Sequence, residues 1–231
     1  MQMTDLLALL TLTDMVALGV LVLAWVGIGW IIDHPPARLP SVSAMMGDVH
    51  RAWMADYPAR ENRIFDGQIV GSLRQGTSFF ASTSILAIGG VLALIGNTAP
   101  LQGVAAEIGT TPGPTLLWQV RLLPVALFLT HAFLKFVWSH RIFGYGSIMM
   151  AAVPGALGDP AGPPRARQAA ELNVRAMLNF NAGLRSMYFA LGALGWLLGP
   201  WALLGTTAVV TWLLFTREFW SHARNVVAGR G

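Results

Sequence analysis

The residues best suited to chemistry are cations set at helical spacing beside apolar runs. At about 100° per residue, Arg63, Asp66, Gly67, Val70, Gly71, Arg74, Thr77 and Ser78 share one helix face. That stripe joins charge to small residues, and Gly67-x-x-x-Gly71 lets another helix approach closely. It reads either as a polar vestibule at the mouth of a pathway or as a helix packed through Gly and ion pairs. His131 and Lys135 are four apart and share a face inside a third apolar run. A charged Lys within a span costs about 2.5–3.5 kcal/mol unless it reaches water or a partner. Such a pair marks a site by default, the alternative being that Lys135 snorkels to the interface beside Trp138. Glu171 with Arg175 and Asn181 with Arg185 repeat the four-residue spacing, where exposed pairs contribute only about 0.3–0.5 kcal/mol each.

The chemistry these groups offer is electrostatic binding. Acids near the spans are few (Asp14, Asp66), so a net positive interior suits an anion or a lipid phosphate. Arg63, Asp66, Arg74, His131, Lys135 and Arg185 are the expected ligand-binding set, with Asp66 as counter-charge. Gly67, Gly71, Gly195 and Gly199 are the expected helix-packing positions. No Walker loop, His-Glu-x-x-His or Gly-x-Ser-x-Gly is present, so no catalytic residue is expected. The five His residues are scattered and Cys is absent; neither a metal site nor a cofactor is expected.

The chain has 231 residues, of which 55% are hydrophobic and 11% charged, against about 25% charged in soluble domains. So few charges would not cover a water-facing surface. The net charge of +4 sits in loops beside the apolar runs, which points to anionic lipid and not to nucleic acid. Residues Met1–Asp5 carry no basic group, so the first apolar segment is expected to be retained and not cleaved.

Five spans position the candidate residues, at approximately 6–32, 76–96, 115–139, 183–198 and 201–217. Asp14 interrupts the first, and Asp33-His34-Pro35-Pro36 ends it. Ser43–Tyr57 reads as a short amphipathic helix that Trp53 either anchors at the membrane surface or packs into the loop. The helix from Glu61 to Gly96 is polar in its first half. The loop 97–114 has no Lys or Arg. The third helix runs from about Thr115 to Ser139, with continuation to Met150 left open. A Pro/Gly loop at Val153–Pro164 precedes a second long helix from about Gln168, and Gly199-Pro200 separates the last two spans. Of the fifteen Lys and Arg residues only Arg121 falls on the outer side, which places the N-terminus outside and the C-terminus inside. The reading is an all-α polytopic bundle of the inner (cytoplasmic) membrane, one transmembrane domain with two helices extended into the cytoplasm. Ser72-Leu73-Arg74 before Phe79-Phe80-Ala81, and Gly183-Leu184-Arg185 before Tyr188-Phe189-Ala190, form a gapped internal echo open to reading as a duplication.

Glu61-Asn62-Arg63-Ile64, Asp66, Gln68, Gly71-Ser72-Leu73, Gln75-Gly76-Thr77, Phe79-Phe80-Ala81-Ser82-Thr83 and Ala87-Ile88-Gly89-Gly90 resemble a bacterial and plant membrane family known as domain of unknown function 599. Phe180-Asn181-Ala182-Gly183-Leu184-Arg185, Tyr188-Phe189-Ala190, Leu198-Gly199-Pro200-Trp201, and Phe133, Lys135-Phe136 and Trp138 are similar to it as well. The resemblance covers most of the chain. It implies an integral membrane protein and brings no activity.

The functional expectation is a non-enzymatic membrane protein that binds or conducts an anionic species or holds a lipid headgroup. The alternative is a structural, accessory or assembly subunit of a larger membrane complex. Membrane lipids are expected partners, with either a homo-oligomer or a partner membrane protein.

Overall fold

A Thr-x-x-Asp box opens the first helix. The Asp14 amide donates to Thr11 Oγ1 at 3.2 Å, and the Thr11 amide donates back to Asp14 Oδ2 at 3.0 Å. Asp14 therefore lies in the first turn of the described helix and helps to close its start. The computed structural model describes residues 10–107, 113–156 and 158–229. Met1–Asp5, the expected span start at 6–9, positions 108–112 of the outer loop, Leu157 and Arg230 lie outside the described residues.

The described residues form α1 (Leu12–Asp33), α2 (Val42–Ala55), a 3₁₀ turn (Tyr57–Ala59), α3 (Ile64–Gly96) and α4 (Ala99–Glu107). They continue with α5 (Thr115–Ala151), α6 (Gly162–Ala193), a second 3₁₀ turn (Leu194–Leu198), α7 (Pro200–Phe219) and α8 (His222–Val227). No strand occurs among them, so the chain is all-α. Three helices, α1, α3 and α5, are long and apolar enough to cross a membrane by length and composition.

Several boundaries differ from the sequence reading for identifiable reasons. The loop expected over 97–114 contains α4, whose Ala99 amide is met by Asn97 Oδ1 at 3.2 Å. The second long helix begins at Gly162 and not near Gln168. Pro163 and Pro164 fall in its first turn, where a missing N–H leaves no helix bond unmade. Pro124 does not break α5, which runs without interruption to Ala151. Gly199 does end the second 3₁₀ turn, at φ +115°, a region open to glycine and costly for other residues, and Pro200 then starts α7.

The described residues divide into two compact units. The first draws on Met1–Trp30, Ser84–Ala132 and Arg185–Phe215. Leu21, Leu122, Phe189, Trp196 and Leu203 are its most buried large apolar side chains. Gly195 lies so close to α7 that a methyl there would stand 2.4 Å from Thr206 Oγ1. The second unit draws on Ile31–Thr83, Phe133–Leu184 and Thr216–Gly231. Its core joins Met54 and Tyr57 to Val70 of α3, Ile142, Phe143 and Met150 of α5, and Ala166, Ala169, Ala170 and Ala176 of α6. Small residues on one face of α6 admit the larger side chains of α5 at short range.

Candidate functional site

In the second unit α5 and α6 are held together by polar contacts along their length. Ser139 Oγ donates to Ala176 O at 2.7 Å, and Lys135 Nζ donates to Asn179 Oδ1 at 3.3 Å. Beside this seam the two helices form a groove of about 400 Å³. Trp138, Ile142 and Tyr145 line it from α5, and Leu172, Arg175, Leu178 and Asn179 line it from α6.

Each side chain reaches the groove for a local reason. Trp138, Ile142 and Tyr145 recur at three- and four-residue spacing on α5, as Leu172, Arg175, Leu178 and Asn179 do on α6. Asn179 is fixed at both ends, because its Nδ2 donates to Arg175 O at 2.8 Å while its Oδ1 accepts from Lys135. Arg141 Nε donates to the Tyr145 hydroxyl at 2.5 Å, and its guanidinium lies 5.7 Å from the centre of that ring.

The electrostatics follow from the sequence of the two helices. From Phe133 to Ala151, α5 carries no acid, and Glu171 is the one acid in α6. Glu171 is engaged by Arg51 of α2, whose Nε donates to Glu171 Oε1 at 2.7 Å. That bond holds the Glu171 carboxyl below its ordinary value against the opposing effect of burial, and Arg175 adds to it. Arg175 thus lines a groove with two aromatic side chains and an amide, while Lys135 bonds to its Asn179 and Arg141 to its Tyr145. Such a set can hold an anionic oxygen cluster beside an apolar body.

Of the expected binding residues, Lys135 joins this groove through Asn179, and the others do not. Arg63 works as a staple. It donates to Val153 O at 2.8 Å, Pro154 O at 2.8 Å and Pro58 O at 3.2 Å, and lies 4.8 Å from the centre of the Tyr57 ring. Bonds to a charged donor contribute about 1.5–3 kcal/mol each, well above the scale of a surface helix pair. Asp66, 1% exposed, accepts from Trp53 Nε1 at 2.6 Å and from Arg60 Nη1. Trp53 is partly buried and packs against the core of the second unit. Arg63 and Asp66 are thus both engaged by partners within the second unit.

Arg74 lies against Gly144 of α5, its Nε buried without a hydrogen-bond acceptor. Its backbone carbonyl is approached by Thr77 Oγ1 at 2.7 Å and His140 Nδ1 at 3.3 Å. His131 and Arg185 belong to the first unit. There His131 Nδ1 sits 2.7 Å from Ser186 Oγ, which also accepts from Trp25 Nε1 at 3.3 Å. Arg185 is 7% exposed and reaches α1, where a methyl on Gly29 would stand 3.8 Å from its Nε.

Among the packing positions Gly195 makes a close approach and Gly199 makes a turn. Gly67 and Gly71 do neither within this chain: both are exposed, and nothing lies within 4 Å of where a side chain would start. The stripe is split along its length: its Asp66, Val70 and Thr77 edge is buried, and its Gly67 and Gly71 edge is exposed. Among the described residues, no three His, Asp or Glu side chains gather as metal ligands would.

Sequence reasoning passed over Arg141, Tyr145 and Asn179 as groove residues. The available signal was Trp138 three residues after Lys135, an interfacial aromatic beside a cation.

A family model described as "Protein of unknown function, DUF599" matches residues 16–223, and the chain belongs to that family. No curated protein and no solved structure matches it.

Proposed function

We propose, with membership of that family as the premise, that the chain is an inner-membrane protein whose α5–α6 groove holds the headgroup of an anionic lipid. The observation that carries this reading is the gathering of Lys135, Arg175 and Arg141 with Asn179, Trp138 and Tyr145 about one groove. Cations supply the attraction to phosphate, Asn179 supplies a fixed polar contact, and the aromatic pair suits the headgroup level of a bilayer. The leucines on α6 give the first part of an acyl chain an apolar bed. The chain carries out no catalysis in this reading.

The topology that goes with it has five crossings, with the N-terminus periplasmic and the C-terminus cytoplasmic. It is supported by the placing of every Lys and Arg except Arg121 on one side. The chain has no Cys, so a single Cys introduced after Phe215 is the sole thiol. An impermeant thiol reagent added to spheroplasts should leave that Cys unlabelled; labelling from outside overturns the orientation.

The lipid reading is tested in nanodiscs containing phosphatidylcholine and phosphatidylglycerol. Phosphatidylglycerol should remain bound to the parent protein in native mass spectra. At about 1 kcal/mol for each basic residue near an anionic surface, Lys135→Gln with Arg175→Gln should weaken that retention about thirtyfold. Equal retention by parent and variant rejects the reading.

The open Gly67-x-x-x-Gly71 face favours a second reading, an accessory or assembly subunit with a partner helix laid on α3. A stoichiometric membrane partner lost from Gly67→Leu in mild detergent supports it, and purification of the parent chain without any partner opposes it.

A further inference from the structure

The second unit contains another cavity, of about 420 Å³, within the range of roughly 300–1,000 Å³ typical of small-molecule sites. Its apolar walls are Val42 and Met46 of α2, Leu73 of α3, Phe143 of α5, and Met177 and Phe180 of α6. The two methionines are adaptable surfaces for a flexible chain. Gly76, Ser43, His50, Ser72, Asn181 and Glu218 complete the lining, and neither Lys nor Arg is part of it.

Three of these polar groups form one cluster. The Ser43 amide donates to Glu218 Oε2 at 3.0 Å, and Ser43 Oγ donates to Glu218 Oε1 at 3.0 Å. Asn181 Nδ2 donates to Ser43 Oγ at 3.1 Å. A carboxylate offers about four acceptor positions, so Ser43 leaves about half of them open. Asn181 has used an N–H on Ser43 and retains its carbonyl oxygen. His50 Nδ1 lies 2.7 Å from Met46 O, an atom that can only accept, so the ring donates there. The neutral ring then presents Nε2 as a further acceptor. The polar part of the lining is rich in acceptors and holds one negative charge.

We infer that this cavity binds an amphiphile with an amine or ammonium head, its alkyl chain against Met46, Met177 and Leu73 and its head on Glu218 and Asn181. Phe143 and Phe180 add aromatic surface, which attracts cations in its own right. The site is opposite in charge preference to the α5–α6 groove and stands on different residues, so neither reading depends on the other.

The test uses the full chain in phosphatidylcholine nanodiscs with three diazirine probes of equal length: a decylamine, a decanol and a decanoate. Hydrogen bonds to a charged partner set the scale of discrimination at about tenfold. The amine probe should crosslink to peptides carrying Met46, Met177 or Phe180 about tenfold more than the decanoate probe, on the same scale. Glu218→Gln should lower amine labelling by a similar factor and leave decanol labelling in place. Met177→Trp, which fills the cavity, should lower labelling by all three probes. Equal labelling of the parent chain by amine and decanoate overturns the inference. So does labelling that survives Met177→Trp. Glu218→Gln keeps an acceptor for Ser43; if it nevertheless loses helix content, the head-group comparison and Met177→Trp decide.

Discussion

Each of the two units buries one carboxylate and aims one indole at it. In the first, Asp14, 3% exposed, accepts from Trp196 Nε1 at 2.7 Å. In the second, Asp66, 1% exposed, accepts from Trp53 Nε1 at 2.6 Å. The remaining donors differ. Asp66 touches the Arg60 guanidinium, whereas Asp14 is satisfied by the Thr11 amide and hydroxyl, and Arg121 acts on it across space. One charge is neutralised by contact with a cation and the other by oriented neutral dipoles. The comparison shows that a buried acid in this chain is not by itself a mark of a site, since Asp14 closes a helix start and Asp66 ties Trp53 of α2 and Arg60 to α3.

Removing the acid that holds a cation should cost most. Asp66→Asn breaks the ion pair and leaves Arg60, whose side chain is 34% exposed, able to turn toward solvent. A loss of about 2–3 kcal/mol is expected from chemical unfolding in detergent, and a loss below that of the Asp14 variant would reverse the contrast. Asp14→Asn keeps an acceptor and strands no contacting cation, so about 1–2 kcal/mol should go. The indoles sharpen the point further. Trp53→Phe and Trp196→Phe each remove one donor from a carboxylate, and similar losses of about 1 kcal/mol would show that the indole bonds are equivalent. Unequal losses would mean that the Arg60 contact changes what the Trp53 bond contributes.

The smallest effect lies at an exposed pair outside both carboxylate sites. Arg51 and Glu171 are 46% and 52% exposed as side chains. Glu171 is held below its ordinary value by the Arg51 hydrogen bond, so its contribution is present above the unfolded value and is lost as pH falls through the folded one. Glu171→Gln should cost less than about 1 kcal/mol at neutral pH, because exposed pairs contribute little. It should also remove a matching share of the parent chain's stability loss on acidification. Unfolding series at neutral and acid pH read both, and an unchanged acid response excludes this carboxylate as a contributor.

The course of the helices was largely legible, because Pro, Gly and apolar length speak locally. Gly199-Pro200 marked a break, and the run after Thr115 announced a helix, whose extension from Ser139 to Ala151 the sequence left open. The box at Thr11 and Asp14 was legible too, yet an acid beside an apolar run invites reading as an interruption when it is a cap. α4 was hidden by the Pro and Gly residues around it. The groove was harder to see for a geometric reason. Lys135 and Asn179 are separated by 44 positions, and only the pairing of α5 with α6 brings them together. The stripe from Asp66 to Arg74 was correctly a helical pattern, whereas Arg63 falls just before α3, and periodicity does not say which acceptors a guanidinium will find. Arg63 found backbone carbonyls beyond the end of α5, and a carbonyl carries no mark in a sequence.

The Glu218 contact with Ser43 closes the start of α2 with a group 175 positions further on. Ser41 Oγ accepts from the Ala44 amide locally, but until a ribosome has delivered Glu218 the Ser43 amide has only solvent to satisfy it. A nascent product stalled before Glu218 therefore lacks the carboxylate that closes this junction.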